Sequence, residues 1–538
     1  MAYLLWHYLT ESVRRHPTRP AVSWRETSLT YAELDELSTR LARTLMACGL
    51  ERGSRVGLFM PKSARSVVTM LAVLKSGATY VPIDPAAPAS RVAYILRDCG
   101  VRGLVSTSRH IERLGEVLPG LGFIETVILT DDDPADVRAA LPKRVVRWAD
   151  IQRTPLTEKD GNFGGGLETD PAYLLYTSGS TGNPKGVILS HRNALTFVDW
   201  AAEIFSVEAG DRLSGHAPLH FDLSVFDIYA ALRAGACVVM VPDEVAPFPL
   251  ELARWIEAER ISVWYSVPSA LTRLLLHGQL ERFKYDALRT VLYAGEVFPV
   301  KYLRQCMSLL GRVEFYNLYG PTETNVCTYF KLPRPLGPEV TDIPIGRACE
   351  NTEVWAMDPD GRVVRPGETG ELYVRGPSVM PGYWNLPEKA KEVLVSNPLQ
   401  PAFNELVYRT GDLVRLEADG CYRFIGRRDH MIKSRGYRIE LGEIERALHD
   451  HPGVKEAVVL AVPDDEIGAR LLAVVVPHTD GSLDPKELQA FCLVRLPKYM
   501  VPEEMEFRQE LPRTSTGKAD RMALMTTLGT TVEEARRT

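Results

Sequence analysis

The 538-residue sequence lacks the features that mark several common classes of protein. None of its eight cysteines lies in a C-x-x-C pair, which argues against a thiolate metal site and for a reducing compartment. No apolar run approaches the ~18 residues of a membrane-spanning helix, and the N-terminal MAYLLWHYLTESVRRHP lacks the basic lead and cleavage site of a signal peptide. A formal net charge of −6 provides no basic surface for nucleic acid or an anionic membrane. We therefore expect a cytoplasmic protein with no nucleic-acid and no membrane partner.

The composition and the order of the apolar segments indicate a large α/β protein. With 45% hydrophobic and 25% charged residues the chain is an ordinary globular protein, and its length exceeds what one hydrophobic core usually supports. Strand-like and helix-like segments alternate, beginning with RVGLFM, ARSVVTMLAVLKSG and TYVPID and continuing as far as VEFYNLYG. This βαβ pattern predicts mostly parallel sheets flanked by helices, in which ligands bind at the carboxyl ends of the strands.

The pattern changes twice in the second half of the chain. After about residue 350, GRVVRPGETGELYVRG and DLVRLEADGCYRFIGRRD predict antiparallel hairpins and hence a β-rich subdomain. Beyond Asp429, RIELGEIERALHDH and DPKELQAFCLVRL predict helices, and VKEAVVLAVPD and RLLAVVVPH predict strands. We therefore expect a large N-terminal domain, residues 1–429, and a small α+β C-terminal domain, residues 430–538.

The segment YTSGSTGNPKGV at residues 176–187 combines glycines, hydroxyl groups and a lysine. Glycines allow backbone N–H groups to converge on an anion, and hydroxyls and an ammonium add donors, so the segment predicts a phosphate loop. Its spacing does not match the Gly-Lys-Ser/Thr ending of a P-loop, and a flexible surface loop is the alternative. The candidate phosphate-binding residues are Thr177, Ser178, Gly179, Ser180, Thr181, Gly182 and Lys185.

This loop is one of several motifs that follow one another along the chain. The others are LTYAEL, LKSGATYVPID, FDLSVFD, NLYGPTE, GELYVRG, YRTGDL, GRRDHMIKSRGYRIELGEIE and PRTSTGKADR. Over nearly the whole chain, the set resembles the adenylate-forming superfamily, which includes acyl-CoA synthetases, luciferases and the adenylation domains of nonribosomal peptide synthetases. The resemblance implies an enzyme that uses ATP and Mg²⁺ to convert a carboxylate into an acyl-adenylate and then passes the acyl group to a thiol.

The resemblance also implies how this chain would hold ATP. The glycine-rich loop would bind the β- and γ-phosphates, Tyr319 would lie against adenine, and Asp412 would accept from the ribose hydroxyls. Beyond the loop, the implied ATP-binding residues are Gly295, Glu296, Asn317, Tyr319, Gly320, Asp412, Phe424, Arg427 and Lys518.

Catalytic and hinge residues follow from the same resemblance. Thr322 would contact the α-phosphate, Glu323 would bind Mg²⁺, and Lys518 would bridge the substrate carboxylate and the α-phosphate. The small, mobile C-terminal domain would turn at Asp429 between the two half-reactions. That turn would bring a thiolation loop, with Lys433 and Gly436, to the acceptor thiol.

The motif FDLSVFD bears on the substrate, because an amino acid carries an ammonium group that is costly to bury unpaired. Asp222 follows an aromatic residue, as does the carboxylate of the amino-acid-activating branch of the superfamily. The alternative is that Asp222 caps a helix beginning near Ser224. The pocket implied by the resemblance consists of Asp222, Leu223, Phe226, Tyr265, Leu292, Ala294, Leu318, Val326, Cys327 and Lys518.

These pocket residues indicate a small apolar amino acid. Because Tyr265 is the one strong polar group besides Asp222 and Lys518, a charged or amide side chain would leave buried groups unpaired. Phe226, Tyr265 and the leucine-sized walls leave room for a compact ring, and the set resembles that of stand-alone enzymes that activate L-proline for natural products. Valine and alanine are alternatives, since a hydrophobic pocket discriminates a missing methylene by only about 1–3 kcal/mol.

The acceptor thiol is predicted from the sequence after Lys518. No site of the Leu-Gly-Gly-His/Asp-Ser type, to which phosphopantetheine is attached, follows that lysine. We therefore expect the enzyme to load a separate holo-peptidyl carrier protein. An acyl-CoA ligase acting on a small carboxylic acid is the first alternative, and a catalytically silent relative is the second.

Overall fold

The computed structural model describes residues 2–131, 144–156, 163, 165–179, 182–429, 431–478, 483–513 and 519–527. The chain divides into two compact units. The large unit consists of Met1–Pro85, Val92–Tyr176 and Lys185–Arg428, and the small unit consists of Ala86–Arg91, Thr177–Pro184 and Asp429–Thr538. Two short segments from the first half of the sequence thus group with the C-terminal part, a grouping that was not predicted from the sequence.

Helices and strands alternate through most of the large unit, and the elements of both units are numbered together along the chain. The helices are α1 (His7–Arg15), α2 (Tyr31–Ala47), α3 (Ala64–Lys75), α4 (Ala89–Asp98), α5 (Ser108–Glu112), α6 (Trp148–Arg153), α7 (His191–Ile204), α8 (Leu223–Val225), α9 (Ala231–Ala234), α10 (Pro249–Ala258), α11 (Pro268–His277), α12 (Val300–Leu309), α13 (Pro387–Val393), α14 (Leu441–His449) and α15 (Pro485–Leu493), with a π-helix (Phe226–Ala230) joining α8 to α9. The strands are β1 (Pro20–Trp24), β2 (Thr27–Thr30), β3 (Arg55–Phe59), β4 (Thr79–Pro82), β5 (Gly103–Ser106), β6 (Thr126–Leu129), β7 (Arg144–Arg147), β8 (Pro171–Thr177), β9 (Lys185–Ser190), β10 (Arg212–Gly215), β11 (Cys237–Met240), β12 (Val263–Ser266), β13 (Thr290–Ala294), β14 (Glu314–Tyr319), β15 (Thr328–Lys331), β16 (Arg347–Ala348), β17 (Glu353–Met357), β18 (Thr369–Arg375), β19 (Gly382–Tyr383), β20 (Leu394–Ser396), β21 (Leu406–Leu416), β22 (Tyr422–Arg427), β23 (Met431–Ser434), β24 (Tyr437–Glu440), β25 (Val454–Asp464), β26 (Gly468–Pro477) and β27 (Glu504–Phe507).

Two large sheets form the framework of the large unit. The nine-stranded sheet has the order β16-β15-β14-β13-β12-β10-β11-β1-β2, and the eight-stranded sheet has the order β19-β9-β8-β4-β3-β5-β6-β7. Strand β10 pairs in parallel with β11 and β12, and the parallel pairing continues to β13 and β14. A separate five-stranded antiparallel sheet contains β17, β18, β20, β21 and β22. The predicted α/β class, with mostly parallel sheets and a β-rich subdomain, is confirmed.

Local signals in the sequence explain where the first helices begin. Thr30 and Glu33 form a reciprocal capping box at the start of α2, and Ser63 and Ser66 form one at the start of α3. Helix α3 is buried along almost its whole length, and the ammonium of its last residue, Lys75, donates to an oxygen of the Asp35 carboxylate at 2.7 Å. Within the described ranges, the structure contains no helix that is long and apolar enough to span a membrane.

One predicted hairpin of the β-rich subdomain is wrong. The segment GRVV was expected to pair with ELYV, but Val363 makes only an isolated bridge to Met357. Strand β18 instead pairs on one side with β17 and on the other with β21. Alternation of apolar and polar residues indicates a strand but does not select its partner, and both edges of β18 are occupied by other strands. The second predicted hairpin, β21 with β22, is confirmed.

The small unit contains the predicted α+β elements and one hairpin that was not predicted. Strands β25 and β26 pair antiparallel, β27 joins β26 in parallel, and α14 and α15 contribute to the same apolar core. The helix predicted from Arg438 begins only at Leu441, because Tyr437–Glu440 forms a hairpin with Met431–Ser434. The two turn residues, Arg435 and Gly436, have φ angles of 53° and 80°, as a tight two-residue hairpin turn requires.

Candidate active site

Parallel strands bring the predicted pocket residues together in the large unit. Tyr265 on β12 lies opposite Leu292 on β13, and Ala294 lies opposite Leu318 on β14. The ring of Phe226, in the π-helix, is perpendicular to the Tyr265 ring at a centroid distance of 5.7 Å. The buried members of one continuous core cluster include Leu223, Phe226, Tyr265, Leu292, Ala294, Leu318, Val326 and Cys327. The apolar residues predicted for the pocket thus come from separate segments of the chain and belong to one buried core cluster.

Asp222 lies at the N-cap position of α8. The sequence left open whether its carboxylate pairs with a substrate ammonium or caps this helix. Its side chain makes no capping hydrogen bond to α8, so the structure does not support the helix-capping alternative. The residue is half-buried. Burial raises the pKa of the Tyr265 hydroxyl, and the negative charge of Asp222 adds to that effect. Burial also raises the pKa of Tyr173, where the nearby Tyr229 contributes before Asp222 does. The Asp222 carboxylate therefore acts electrostatically on two buried tyrosines, of which Tyr265 belongs to the predicted pocket.

Asp227, in the same motif, is a buried carboxyl group that was not predicted to be part of the site. It is 2% exposed, and neither side-chain oxygen has a hydrogen-bond partner of good geometry among the described residues. Burial raises its pKa well above the usual range, although the Lys62 ammonium and the Ala217 backbone amide act in the opposite direction. Asp227 lies in the π-helix, a rare element that often occurs at functional sites.

Asp412, predicted to bind the ribose, and Tyr319, predicted to lie against adenine, are in direct contact. The hydroxyl of Tyr319 donates to one oxygen of Asp412, and the guanidinium of Arg427 donates to the other. Pairing of β21 with β22 sets Asp412 opposite Arg427 and Val414 opposite the half-buried Phe424. The four residues predicted for this part of the site, Tyr319, Asp412, Phe424 and Arg427, therefore lie on adjacent, hydrogen-bonded elements or in direct contact.

Four other predicted nucleotide-binding residues shape the ends of β13 and β14. The Asn317 amide donates to Pro344 O at 2.8 Å, and the Glu296 carboxylate accepts from Ser269 N at 2.9 Å at the start of α11. A side chain at Gly320 would place its Cβ 1.7 Å from Asn325 O, so only glycine fits at the turn after β14. Gly295, after β13, has a φ of +98°. Each of the four thus has a structural reason for its residue type or its orientation.

Lys185 and Glu323 meet in a buried network with a residue that was not predicted. The Lys185 ammonium lies 3.2 Å from Glu323 Oε1 and donates to the Tyr383 hydroxyl at 2.8 Å. The Tyr383 hydroxyl in turn donates to Glu323 Oε1 at 2.7 Å. Thr322, which precedes the fully buried Glu323, is partly exposed. No motif or spacing in the sequence distinguishes Tyr383 from the other tyrosines.

The predicted phosphate loop belongs to the small unit except for Lys185, which lies in the large unit. The Thr177 hydroxyl is buried and has no hydrogen-bond partner among the described residues. Ser178 Oγ donates to Arg438 O at 2.8 Å, and Gly179 N donates to Glu443 Oε2 at 3.4 Å. Gly182 has a φ of +84°, which favours glycine. Ser180, Thr181 and Lys518 lie outside the described residues.

Residues predicted to act in the second half-reaction also lie in the small unit. Asp429 is the first residue of the C-terminal segment of the small unit. Its Oδ1 atom accepts a hydrogen bond from Met431 N at 3.3 Å. Lys433 lies on β23, and Gly436 completes the turn to β24.

Comparison with known proteins agrees with this geometry. The model of the AMP-binding enzyme family matches residues 9–384, and that of the AMP-binding enzyme C-terminal domain matches residues 443–518. The chain belongs to the AMP-binding enzyme family. This AMP-binding enzyme is 42% identical over 521 residues to an L-proline--[L-prolyl-carrier protein] ligase of Pseudomonas fluorescens, with 97% of this chain and 98% of the relative covered. It is 39% identical over 511 residues to a protein of the same name from Streptomyces coelicolor, with 94% and 93% covered.

The fold of this AMP-binding enzyme is also found in solved structures. The amide bond synthetase McbA of Marinactinospora thermotolerans superposes with a TM-score of 0.84 at 26% identity, covering 97% of this chain and 99% of that one.

The donor set of the AMP-binding enzyme fits a magnesium nucleotide. Glu323 supplies a buried carboxylate oxygen, the ligand type that Mg²⁺ prefers, beside the Lys185 ammonium. The Asp412 oxygens accept from Tyr319 and Arg427, and carboxylate oxygens have further lone pairs for donors such as ribose hydroxyls. The buried Thr177 hydroxyl, which has no partner among the described residues, is a donor available to an anion.

Proposed function

We propose that this AMP-binding enzyme activates L-proline with ATP as prolyl-AMP and transfers the prolyl group to the phosphopantetheine thiol of a separate peptidyl carrier protein. The observation that carries the proposal is the position of Asp222, a half-buried carboxylate at the start of the helical segment that packs Phe226 against Tyr265. The names of the two relatives support the same substrate and acceptor. Loading of proline onto a carrier protein would serve natural-product biosynthesis, and we place the reaction in the cytoplasm, where ATP is supplied.

The pocket supports a small cyclic amino acid over larger ones. A buried ammonium needs a carboxylate, and Asp222 supplies it. The remaining walls are apolar and include the buried side chains of Phe226, Leu292 and Leu318. A charged or amide side chain would be left unpaired there, whereas the side-chain part of the proline ring consists only of CH₂ groups. Valine and alanine are expected as weak substrates.

The roles of the nucleotide-binding residues form part of the proposal. Asp412 and Tyr319 hold ribose and adenine, Lys185 and the glycine-rich loop hold phosphate, and Glu323 binds Mg²⁺. A Mg²⁺ ion held by Glu323 would supply positive charge to the phosphates of the nucleotide. Lys518 is proposed to bridge the substrate carboxylate and the α-phosphate, where negative charge develops.

Amino-acid-dependent exchange of pyrophosphate into ATP tests the first half-reaction. We expect exchange with L-proline to exceed that with each of the other proteinogenic amino acids. Exchange that is highest with another amino acid would contradict the proposed substrate, and no exchange with any acid would indicate a silent relative.

The acceptor is tested separately with two thiols. Radiolabelled L-proline and ATP are supplied with either a holo-peptidyl carrier protein or free CoA. We expect label on the carrier protein and none on the matched apo-carrier, which lacks the thiol. Faster transfer to free CoA would favour the CoA ligase alternative.

A further inference from the structure

Tyr383 joins the two charged groups to which the proposed function assigns phosphate and Mg²⁺. Its hydroxyl accepts a hydrogen bond from the Lys185 ammonium at 2.8 Å and donates one to Glu323 Oε1 at 2.7 Å. All three side chains are buried, with Glu323 0% exposed. A buried carboxylate that loses a hydrogen-bond donor is strongly destabilised, so the Tyr383 hydroxyl stabilises the ionised form of Glu323.

The backbone around Tyr383 is attached to both functional segments. Strand β19 pairs with β9, whose first residue is Lys185, and Trp384 N donates to Gly186 O at 2.8 Å. On the other side, Met380 N donates to Glu323 O at 2.8 Å. Residues 380–384 therefore connect the end of the phosphate loop, through backbone hydrogen bonds, to the turn that contains Glu323.

The ion pair must rearrange when a magnesium nucleotide binds. In this structure Lys185 and Glu323 neutralise each other at 3.2 Å. In the proposed function, Lys185 binds a phosphate and Glu323 binds Mg²⁺, so the ion pair between Lys185 and Glu323 is weakened. A tyrosine hydroxyl can donate one bond and accept others, so Tyr383 can stay bonded to both groups through the exchange.

We infer that Tyr383 is a positioning residue that prepares Lys185 and Glu323 for Mg²⁺ and the nucleotide phosphates. This inference rests on the proposed function, in which those two residues bind phosphate and metal. Tyr383 itself need not touch the substrate. Its effect is therefore expected on metal and nucleotide affinity and not on recognition of the amino acid.

The test compares Tyr383→Phe with a matched control, Tyr31→Phe. Tyr31 is also buried, and its hydroxyl donates to Ala236 O at 2.7 Å. Tyr31 and Ala236 both lie outside the proposed site. Because a hydrogen bond to a charged group is being removed, we expect Tyr383→Phe to raise the Mg²⁺ concentration for half-maximal exchange and the KM for ATP about tenfold. The KM for L-proline should change less than about twofold, and Tyr31→Phe should alter none of the three.

Two further measurements separate positioning from misfolding and from a wrong function. Direct titration of each protein with ATP, with and without Mg²⁺, should show that Tyr383→Phe weakens the Mg²⁺-dependent binding, whether or not any amino acid supports exchange. A near-isosteric 4-fluorophenylalanine at position 383, introduced by codon suppression, replaces the phenylalanine variant if that variant fails to fold. Unchanged Mg²⁺ and ATP dependence, or an equal loss of affinity for ATP and proline, would overturn the inference.

Discussion

Two carboxylates of one short segment have different electrostatic surroundings. Asp222 is half-buried, and its charge reaches the hydroxyls of Tyr265 and Tyr173. Asp227 is fully enclosed, and burial raises its pKa well above the usual range. At the residue scale, the first group is suited to pair with a substrate ammonium, and the second favours the protonated form.

Replacement of Asp222 by alanine or by the isosteric asparagine should remove the partner of the substrate ammonium. Because an ammonium left without its carboxylate loses about 3 kcal/mol or more, we expect kcat/KM for L-proline to fall at least about 100-fold. Cyclopentanecarboxylate, which has the same ring size and no amine, serves as the control substrate. Its weak activity should not fall in either variant, and an equal loss with both substrates would contradict the assigned role.

Replacement of Asp227 by asparagine should stabilise the protein at neutral pH. The folded-state pKa lies above the usual value of 3.8, so the folded protein keeps a proton that the unfolded chain releases. The free energy of unfolding of the parent protein therefore falls by up to about 1.4 kcal/mol for each pH unit above the unfolded-state pKa until the folded-state pKa is passed, and asparagine removes this dependence.

Denaturant unfolding of both proteins between about pH 5 and pH 7 measures this difference. That window lies below the range in which Lys62 titrates, since burial lowers its pKa to about 8. The stability advantage of Asp227→Asn should shrink as the pH falls. An advantage that grows toward low pH would show that the Asp227 carboxyl is ionised in the folded protein.

At the scale of elements, more of the proposed site residues lie on short strands and turns than on long helices. The two-residue strand β19 ties Lys185 to Glu323, and the turn at Arg435 and Gly436 places the proposed thiolation loop between β23 and β24. Asp429, at the start of the C-terminal part of the small unit, precedes that hairpin and accepts a hydrogen bond from Met431 N. A change in direction at Asp429 would therefore move the hairpin as a whole.

Proline at position 429 should separate the two half-reactions. Proline restricts φ to about −65°, so the backbone rotation required of a hinge is blocked while the rest of each unit is unchanged. We expect Asp429→Pro to retain proline-dependent pyrophosphate exchange and to lose most transfer to the carrier protein. The control, Asp429→Ala, loses the bond to Met431 N but keeps φ free, and it should support both steps. Equal loss of both steps in the proline variant would mean general misfolding or a hinge at another position.

At the scale of the whole molecule, each of the two units contains residues with proposed roles in the reaction. The amino-acid pocket, Asp412, Lys185 and Glu323 belong to the large unit, and the residues from Thr177 to Pro184 belong to the small unit. Lys518 is assigned to the small C-terminal domain by the sequence. Its proposed role is confined to adenylation, in which negative charge develops at the α-phosphate.

Replacement of Lys518 by alanine should therefore impair one half-reaction only. Removal of one preorganised donor to developing charge costs about 10²–10³ in rate, so pyrophosphate exchange should fall by that factor. Transfer to the carrier protein from chemically supplied prolyl-adenylate should continue at close to the parent rate. Near-normal exchange by Lys518→Ala would show that another residue supplies the charge.

Local order in the sequence was sufficient to predict much of this protein. The alternation of strands and helices and the composition of the glycine-rich loop depend on neighbours along the chain, so helix α3, the parallel sheets and the candidate loop could be predicted. The motif FDLSVFD likewise identified Asp222 as a candidate, but the sequence left open whether that carboxylate caps a helix. The absence of a capping bond from Asp222 to α8 answers that point, because it depends on side-chain direction.

Long-range pairing was decided only by the tertiary structure. Strand β18 could have paired with GRVV, but it lies between β17 and β21 because a strand's partner depends on all the competing edges. Tyr383 has no distinguishing neighbours in sequence and becomes significant only because β19 pairs with β9, which brings its hydroxyl to Lys185 and Glu323. The protonation preference of Asp227 has the same origin, since burial is a property of the folded chain and not of the motif.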